Sequence, residues 1–200
     1  MTARDPNIED DVRAMVRRIV DGILPASPNA EATAPSTSGS SSEMTAPSDT
    51  GSIAIGGDHG GFALKEKLAF RLKEQGRTVI DCGTNSTDSV DYPDIAASVA
   101  RNVAQGTADV GIIIDGAGIG SAMAANKISG IRAALCYDVS TARNAREHNH
   151  ANVLTLGAGL IGDGLAWQIT QEFLATPFGE GRHARRVGMI DDLDRELVEG

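Results

Sequence analysis

Aromatic residues are scarce in this chain, and a long apolar run is missing altogether. Phe, Trp and Tyr together make up 4% of the 200 residues, although hydrophobic residues reach 41%. A core with so few rings must use small aliphatic side chains and close backbone packing, which is typical of α/β domains. Because no apolar run approaches the roughly 20 residues that span a bilayer, the sequence predicts no membrane segment. The acidic N-terminus also lacks the apolar centre of a secretory signal.

Basic charge and cysteine are in short supply as well. A formal net charge of -9 disfavours nucleic acid and anionic membranes as partners. Cys82 and Cys136, the two cysteines, are far apart and have no metal-ligand spacing, so we expect a reducing, cytoplasmic environment. No set of His, Cys and Asp residues has ligand spacing either. The sequence therefore gives no support for a bound metal.

Residues 25–52 divide the chain, because this stretch contains no Leu, Ile, Val or aromatic residue. Such a segment cannot bury enough apolar surface to offset the entropy that it would lose on ordering. We interpret it as a disordered linker. It separates an N-terminal segment, residues 1–24, from a C-terminal domain, residues 53–200.

Residues 7–24 carry one continuous apolar stripe at helical spacing. The stripe consists of Ile8, Val12, Met15, Val16, Ile19, Val20, Ile23 and Leu24. One interpretation is a helix that packs on its own domain, and the other is a tethered helix that lays its apolar face on a partner. The pattern resembles the encapsulation peptides that direct enzymes into bacterial microcompartments. That resemblance implies docking on shell or cargo proteins and a location inside such a compartment.

From the end of the linker onward, short apolar runs alternate with helical stretches. The runs are SIAIGG (52–57), TVIDCG (78–83), DVGIIID (109–115), IRAALCYD (131–138) and ANVLTLG (151–157), and each is predicted to be a buried strand. Alternating β and α units indicate a parallel sheet with helices on both faces, a three-layer α/β/α arrangement. Right-handed crossovers make this sheet doubly wound, and ligands bind at the carboxyl ends of its strands.

The stretch IIIDGAGIGSAMAANK, residues 112–127, places three glycines at alternate positions after a predicted strand: Gly116, Gly118 and Gly120. Ser121 stands where a dinucleotide-binding fingerprint has its third glycine, so a nucleotide site is poorly supported. Two alternatives remain. The loop is either a glycine-rich turn needed for packing, or a loop whose backbone N–H groups face a phosphate or a developing oxyanion.

Other polar side chains stand close to the predicted strands or in the last helical segment. These are Asp58, His59, His148, Asn149, Arg182 and Arg186. The two arginines are one helical turn apart and share a face. Two guanidiniums on one face suit a phosphate, although a solvated helix face is the simpler interpretation of the pair alone.

Five segments of the chain, in their order and spacing, resemble the ribose-5-phosphate isomerase B family, which includes galactose-6-phosphate isomerase. The segments are IAIGGDHGGFALKEKL, VIDCGTNSTDSVDYPDIA, GAGIGSAMAANKISGIRAAL, REHNHANVLTLGAGLIG and EGRHARRV. The resemblance extends from residue 53 to about residue 195. It implies a Rossmann-like fold with five strands and a cofactor-free aldose–ketose isomerase of phosphorylated sugars. It also implies dimers or tetramers in which two subunits share each site.

The resemblance implies catalytic and phosphate-binding roles for five side chains. Asp58 and His148 would help to open the sugar ring. His59, Arg182 and Arg186 would hold the phosphate.

Further residues would contact the sugar itself. Asn149 would bind its hydroxyls, and Tyr92 would line the pocket. The backbone N–H groups of the loop would stabilise the cis-enediolate, and the residues concerned are Gly116, Ala117, Gly118 and Gly120. His148, Asn149 and the arginine pair would reach the loop of the partner subunit.

The chain departs from the family pattern at four positions. Asp115 stands where typical members have a cysteine base, and Ala117 stands where they have Thr or Ser. Ser121 occupies the place at which another branch has a glutamate base, and Leu160 replaces an arginine that often helps to grip phosphate. The pattern D-x-x-G-x-G-S is similar to the A subunit of galactose-6-phosphate isomerase, which works with a cysteine-bearing second subunit.

Three hypotheses follow from these residues. The first is an isomerase that is at least homodimeric, in which Asp115 replaces cysteine as the base and ribose 5-phosphate is the default substrate. The second is a subunit that needs a cysteine-bearing paralogue. The third is a non-catalytic protein that binds sugar phosphates and is tethered to a shell.

Overall fold

The computed structural model of the chain describes residues 51–199, and within this range strands and helices alternate. The strands are β1 Ser52–Gly57, β2 Thr78–Asp81, β3 Val110–Asp115, β4 Ala133–Leu135 and β5 Val153–Gly157. The helices are α1 Phe62–Glu74, α2 Tyr92–Ala104, α3 Ile119–Ala125, α4 Val139–Asn149, α5 Asp163–Ala175 and α6 Arg182–Glu199.

The five strands form one parallel sheet in the order β2-β1-β3-β5-β4. The chain runs from β1 to one edge and then returns past β1 to β3, so the strand order reverses between these two central strands. In open α/β sheets ligands bind at such a reversal, outside the carboxyl ends of the strands. The predicted Rossmann-like, doubly wound α/β fold is confirmed.

The core lies on both faces of the sheet, and β3 shows how the sequence divides it. Ile112 and Ile114 are buried in a cluster with residues of α1, α4 and α5. Ile113 points to the other face and is buried in a second cluster with residues of α2 and α3. Successive side chains of a strand alternate between faces, so a strand that is covered on both sides needs an unbroken apolar run.

Four strands are shorter than the sequence predicts: β3 and β5 begin one and two residues later, at Val110 and Val153, and β2 and β4 also end earlier, where polar side chains turn the chain. The run 78–83 is a strand only as far as Asp81, whose Oδ1 accepts the N–H of Gly83 at 2.9 Å. The run 131–138 keeps only its three central residues in β4, and its last residue, Asp138, caps α4 instead.

The folded domain begins earlier than residue 53. Ser52 opens β1, and its N–H donates to Asp109 Oδ2 at 2.6 Å. The prediction that the linker extends to residue 52 is therefore wrong at this position, while the strand predicted at 52–57 is confirmed. The helix predicted at residues 7–24 and residues 25–50 of the predicted linker lie outside the described residues. Among residues 51–199, no helix is both long and apolar enough to cross a membrane.

Candidate active site

Asp115 ends β3 and holds the glycine-rich loop that follows it. The residue is 5% exposed. Its Oδ1 accepts hydrogen bonds from the N–H of Ala117, at 2.8 Å, and from the N–H of Gly118. Its Oδ2 accepts from the N–H and the hydroxyl of Ser121, at 3.0 and 2.5 Å. The carboxylate is therefore the central acceptor of the loop, which we define as residues 115–121.

The carbonyls of the loop are bound from the opposite side. Thr155 of β5 is fully buried, and its hydroxyl donates to the carbonyl of Gly118 at 2.9 Å. The hydroxyl of Tyr137, which follows β4, donates to the carbonyl of Ala117 at 3.0 Å. Gly118 has a φ of 78°, and a Cβ there would lie 2.5 Å from Leu135 Cδ1, so the path of the loop requires glycine at this position.

These bonds correct one expectation from the sequence. The backbone N–H groups of residues 116–120 were expected to face the substrate. Those of Ala117 and Gly118 donate to Asp115 instead, so they are not available to a substrate oxygen in this structure. Gly116 and Gly120 make no such bond to Asp115.

A first group of predicted site residues surrounds this loop. The Tyr92 ring lies against Gly120, where a Cβ would stand 2.5 Å from Cζ of the ring. Asp58 is 8% exposed, and its Oδ1 accepts the N–H of Gly61 at 2.9 Å. It lies beside the loop, because a Cβ on Gly60 would be 3.3 Å from Asp58 Oδ1 and 3.7 Å from the N atom of Gly116.

His59 and Leu160 stand at the margins of this first group. His59 Nδ1 lies 3.4 Å from the N–H of Val90, which places the imidazole against the segment that leads to α2. Leu160 is 61% exposed. It follows Gly159, whose N–H donates to the carbonyl of Gly116 at 3.0 Å, so an exposed apolar side chain adjoins the loop.

A second group of predicted residues lies where the end of α4 meets the start of α6. A cavity of about 190 Å³ is lined there by Asn144, His148, Asn149, His183, Arg186, Val187 and Ile190. The rings of His148 and His183 are stacked, with centroids 4.2 Å apart. Asn144 Nδ2 lies 2.8 Å from His148 Nδ1 and so orients that imidazole.

Positive charge gathers around this second group. Arg182 Nε lies 3.5 Å from His183 Nε2. Desolvation, together with the charges of His148, Arg182 and Arg186, lowers the pKa of His183. A cluster of this kind favours an anionic ligand.

The structure brings the predicted residues together in two groups rather than in one. Within residues 51–199, no hydrogen bond, ion pair or ring contact joins Asp58, His59, Tyr92 and the loop to His148, Asn149 and the arginine pair. Within the same range, no cluster of three or more His, Cys, Asp or Glu side chains could hold a metal ion.

Sequence reasoning missed several residues of these groups, among them Tyr137, Asn144 and His183. Tyr137 follows β4 at the ligand-binding edge of the sheet, and this position was the signal that could have identified it. Asn144 lies one helical turn before His148, a spacing at which side chains meet. His183 was visible between the two arginines but received no role.

The sequence profile of the Ribose/Galactose Isomerase family matches residues 53–190, a range that contains both groups of site residues. The chain belongs to this family. The resemblance drawn from the five sequence segments is thereby confirmed, and the chain is an isomerase of this family. Residues 1–52 lie outside the matched range.

Individual relatives align over nearly their whole length. Ribose-5-phosphate isomerase B of Escherichia coli strain K12 is 43% identical over 143 residues, which are 72% of this chain and 96% of the relative. The structure of ribose-5-phosphate isomerase B from Clostridium thermocellum is 48% identical, with a TM-score of 0.72 and coverage of 73% of this chain and 99% of that chain. The Mycoplasma genitalium enzyme, solved with bound ribulose 5-phosphate, is 41% identical, with a TM-score of 0.71 and coverage of 72% and 97%.

Proposed function

We propose that this isomerase interconverts an aldose phosphate and a ketose phosphate through a cis-enediolate, and that ribose 5-phosphate is its substrate. The observation that carries the proposal is the family match, which includes the loop after β3 and the cationic group on α4 and α6. The relative from Mycoplasma genitalium, with its bound ribulose 5-phosphate, supports the choice of sugar.

Each end of such a substrate contacts residues of both groups. Arg182 and Arg186, with His59, hold the phosphate through charge-assisted hydrogen bonds. Asp58 and His148 move protons while the sugar ring opens. Asn149 binds a sugar hydroxyl, and Tyr92 closes the pocket over the loop.

The reaction itself is a proton transfer between neighbouring carbons. A base takes the proton from the carbon next to the carbonyl, and the enediolate forms. A proton returns to the former carbonyl carbon, and the hydroxyl proton on the neighbouring oxygen passes to the former carbonyl oxygen. The assignment of Asp115 as this base stays a prediction. The hydrogen bonds that its carboxylate accepts weigh against it.

The purified protein, incubated with a panel of pentose and hexose phosphates in deuterated water, tests the proposal. Deuterium should appear at the carbon next to the carbonyl of ribose 5-phosphate, as read by NMR, even where net conversion is slow. Arg186→Ala should raise the KM, whereas Arg185→Ala, at the preceding residue of the same helix, is the matched control and should not. Absence of exchange with every sugar phosphate of the panel would contradict the proposal.

We propose further that a second copy of the chain completes each site, in a homodimer or a tetramer of two dimers. The separation of the two groups supports this, because neither contains all of the expected residues. A groove of about 850 Å³ runs along β4 and α6 and shares Asn144, Asn149 and Ile190 with the cavity of the second group. Ile190 and Leu193 line the groove and are 45% and 62% exposed. A partner seated there would reach the second group.

Mixing two inactive variants tests the shared site. Asp58→Asn and His148→Ala change different groups, so a mixed dimer keeps one intact site if each site draws on both subunits. A mixture refolded at equal concentrations should recover about a quarter of the wild-type activity. Sites formed within one subunit would recover none.

A second candidate function is supported by Asp115. If its carboxylate is fully engaged in the loop, the base can come from a cysteine-bearing paralogue in a mixed oligomer. In that case the pure protein binds ribose 5-phosphate without exchanging its proton. Adding the paralogue then starts exchange. Exchange by the pure protein excludes this alternative, and binding without exchange even after the addition indicates a non-catalytic sugar-phosphate-binding protein.

For residues 7–24 we propose docking on microcompartment shell or cargo proteins, on the pattern of their apolar stripe. Deleting residues 1–50 should leave turnover unchanged and abolish co-sedimentation with shells. Co-sedimentation that survives the deletion would rule this out.

A further inference from the structure

We infer that Asp115 is a positioning residue of the loop and not the group that takes the proton of the substrate. The inference rests on the proposed isomerase function and concerns how its site is built. The inference is based on the hydrogen bonds that the carboxylate accepts. The burial of its partners supports it, and so do the aspartates at the ends of two other strands, which bind the backbone in the same way.

The lone pairs of the carboxylate are all engaged. A carboxylate offers about four lone-pair positions, two on each oxygen. Here Oδ1 accepts from two backbone N–H groups, and Oδ2 accepts from the N–H and the hydroxyl of Ser121. To accept a proton from carbon, Asp115 would first have to release one of these donors.

The surroundings give a substrate little access to the carboxylate. Asp115 is 5% exposed, and Ser121, which covers Oδ2, is fully buried. Ser121 lies in the first turn of α3, so reaching Oδ2 requires displacement of that turn. A base must come within hydrogen-bonding reach of the proton that it removes.

The loop, in turn, depends on Asp115 for its shape. At Ala117 the N–H donates to Asp115 and the carbonyl accepts from Tyr137. At Gly118 the N–H donates to Asp115 and the carbonyl accepts from Thr155. Both residues are therefore held at their N–H and at their carbonyl, and removing the carboxylate would leave three backbone N–H groups without an acceptor.

Aspartates at the ends of two other strands have the same use. Asp58, just after β1, accepts the N–H of Gly61, and Asp81, at the end of β2, accepts the N–H of Gly83. In each case the acceptor fixes the turn that leaves the sheet. Asp115 follows this pattern with more bonds.

Two measurements on the full-chain protein test the inference. The first is backbone amide hydrogen exchange at residues 117, 118 and 121 without substrate. The second is the pH profile of kcat and KM for proton exchange with ribose 5-phosphate. The variants are Asp115→Asn, Ser121→Ala and, as a matched carboxylate-to-amide change outside the loop and outside both groups of site residues, Asp163→Asn.

In Asp115→Asn the amides of the loop should exchange at least about tenfold faster, because an amide group cannot accept all four bonds. The KM should rise, kcat should fall by less than about tenfold, and the acidic limb of the pH profile should remain. Loss of a general base would instead lower the rate by about 100-fold or more. Such a loss with unchanged amide exchange, or the disappearance of the acidic limb, would overturn the inference.

Ser121→Ala keeps the test decisive if Asp115→Asn does not fold. It removes one of the four donors and should speed amide exchange by a smaller factor, with the acidic limb in place. A higher kcat with a shifted acidic limb would show that the freed carboxylate governs turnover, and this would overturn the inference.

Failure of the proposed function remains distinguishable from failure of this inference. If the wild-type protein exchanges no sugar phosphate, the function is wrong. The amide measurement still tests the positioning role, which fails if the loop amides of Asp115→Asn exchange as slowly as those of the wild type.

Discussion

Replacing Asp81 by asparagine should destabilise the domain by about 2 kcal/mol, because it removes the charge that compensates a buried lysine. The side chain of Lys65, on α1, has no exposed surface. Its ammonium donates to Asp81 Oδ1 and Oδ2 at 2.9 and 2.8 Å and to the carbonyl of Thr84 at 2.8 Å. Glu66 Oε1 lies 2.9 Å from the same nitrogen.

The size of the effect follows from these exposures. Removing one partner of a buried ion pair costs about 3–5 kcal/mol. The side chain of Asp81 is 34% exposed and Glu66 remains, so water and the second carboxylate offset part of the loss. The expected 2 kcal/mol corresponds to a fall of about 4–8 °C in Tm for a domain of this size.

A second lysine on the same helix provides the control. Lys67 pairs with Asp163, but these side chains are 55% and 48% exposed. Asp163→Asn should therefore cost much less than Asp81→Asn in urea unfolding followed by circular dichroism at neutral pH. Equal losses would refute the reasoning. Adding Lys65→Met to Asp81→Asn should recover stability, because the uncompensated charge is then gone.

Four further predictions concern Lys65 and the residues that shape the loop. Burial lowers the pKa of Lys65, but hydrogen bonds and charges from its two acidic neighbours outweigh this and raise it above the ordinary 10.5. The stabilisation from this ammonium is thus full below pH 10.5 and is lost as the pH rises through the folded-state pKa. The free energy of unfolding in urea, measured at increasing alkaline pH, should show this loss in the wild type but not in Lys65→Met. Gly118→Ala should reduce Tm far more than Gly130→Ala, since both have positive φ but only the first Cβ meets neighbouring atoms. Thr155→Val should cost about 1 kcal/mol in urea unfolding, because the carbonyl of Gly118 loses this hydroxyl donor and keeps only the N–H of Ala122, at 3.3 Å. Tyr137→Phe should raise the KM for ribose 5-phosphate with little change in Tm, and an unchanged KM would show that this hydroxyl does not position the loop.

The sheet could be predicted because its central strands are unbroken apolar runs. A strand covered on both faces must be apolar at every position, and Ile112, Ile113 and Ile114 satisfy this with alternate burial in the two core clusters. The ends of β2 and β4 could not be predicted from hydrophobicity. They are set by hydrogen bonds of Asp81 and Asp138 to the following backbone, which compete with the sheet for the same residues.

The membership of the site could also be predicted in part. The carboxyl ends of parallel strands lie at the same edge of a sheet. The sequence therefore predicts that Asp58, the loop and the segment after β4 lie at this edge. Tertiary contacts between side chains were not accessible in this way. The stacking of His148 on His183 depends on how α6 returns to α4, and no local pattern in either segment specifies that return.

For Asp115, the role implied by the sequence pattern differs from the role indicated by its hydrogen bonds. The resemblance drawn from the sequence favours a base, because it places Asp115 where the family pattern has a cysteine base. Its local sequence favours a turn: Asp58, Asp81 and Asp115 each have a glycine two or three residues later, and in each case the glycine N–H donates to the aspartate. An aspartate that satisfies backbone donors has a role in every state of the protein, with or without substrate. A base at the same position would have to give up one of those donors in every turnover, and the loop would lose part of its support during the reaction. The two roles therefore exclude each other in one conformation, and amide exchange and pH profiles on the same variants tell which of them the protein uses.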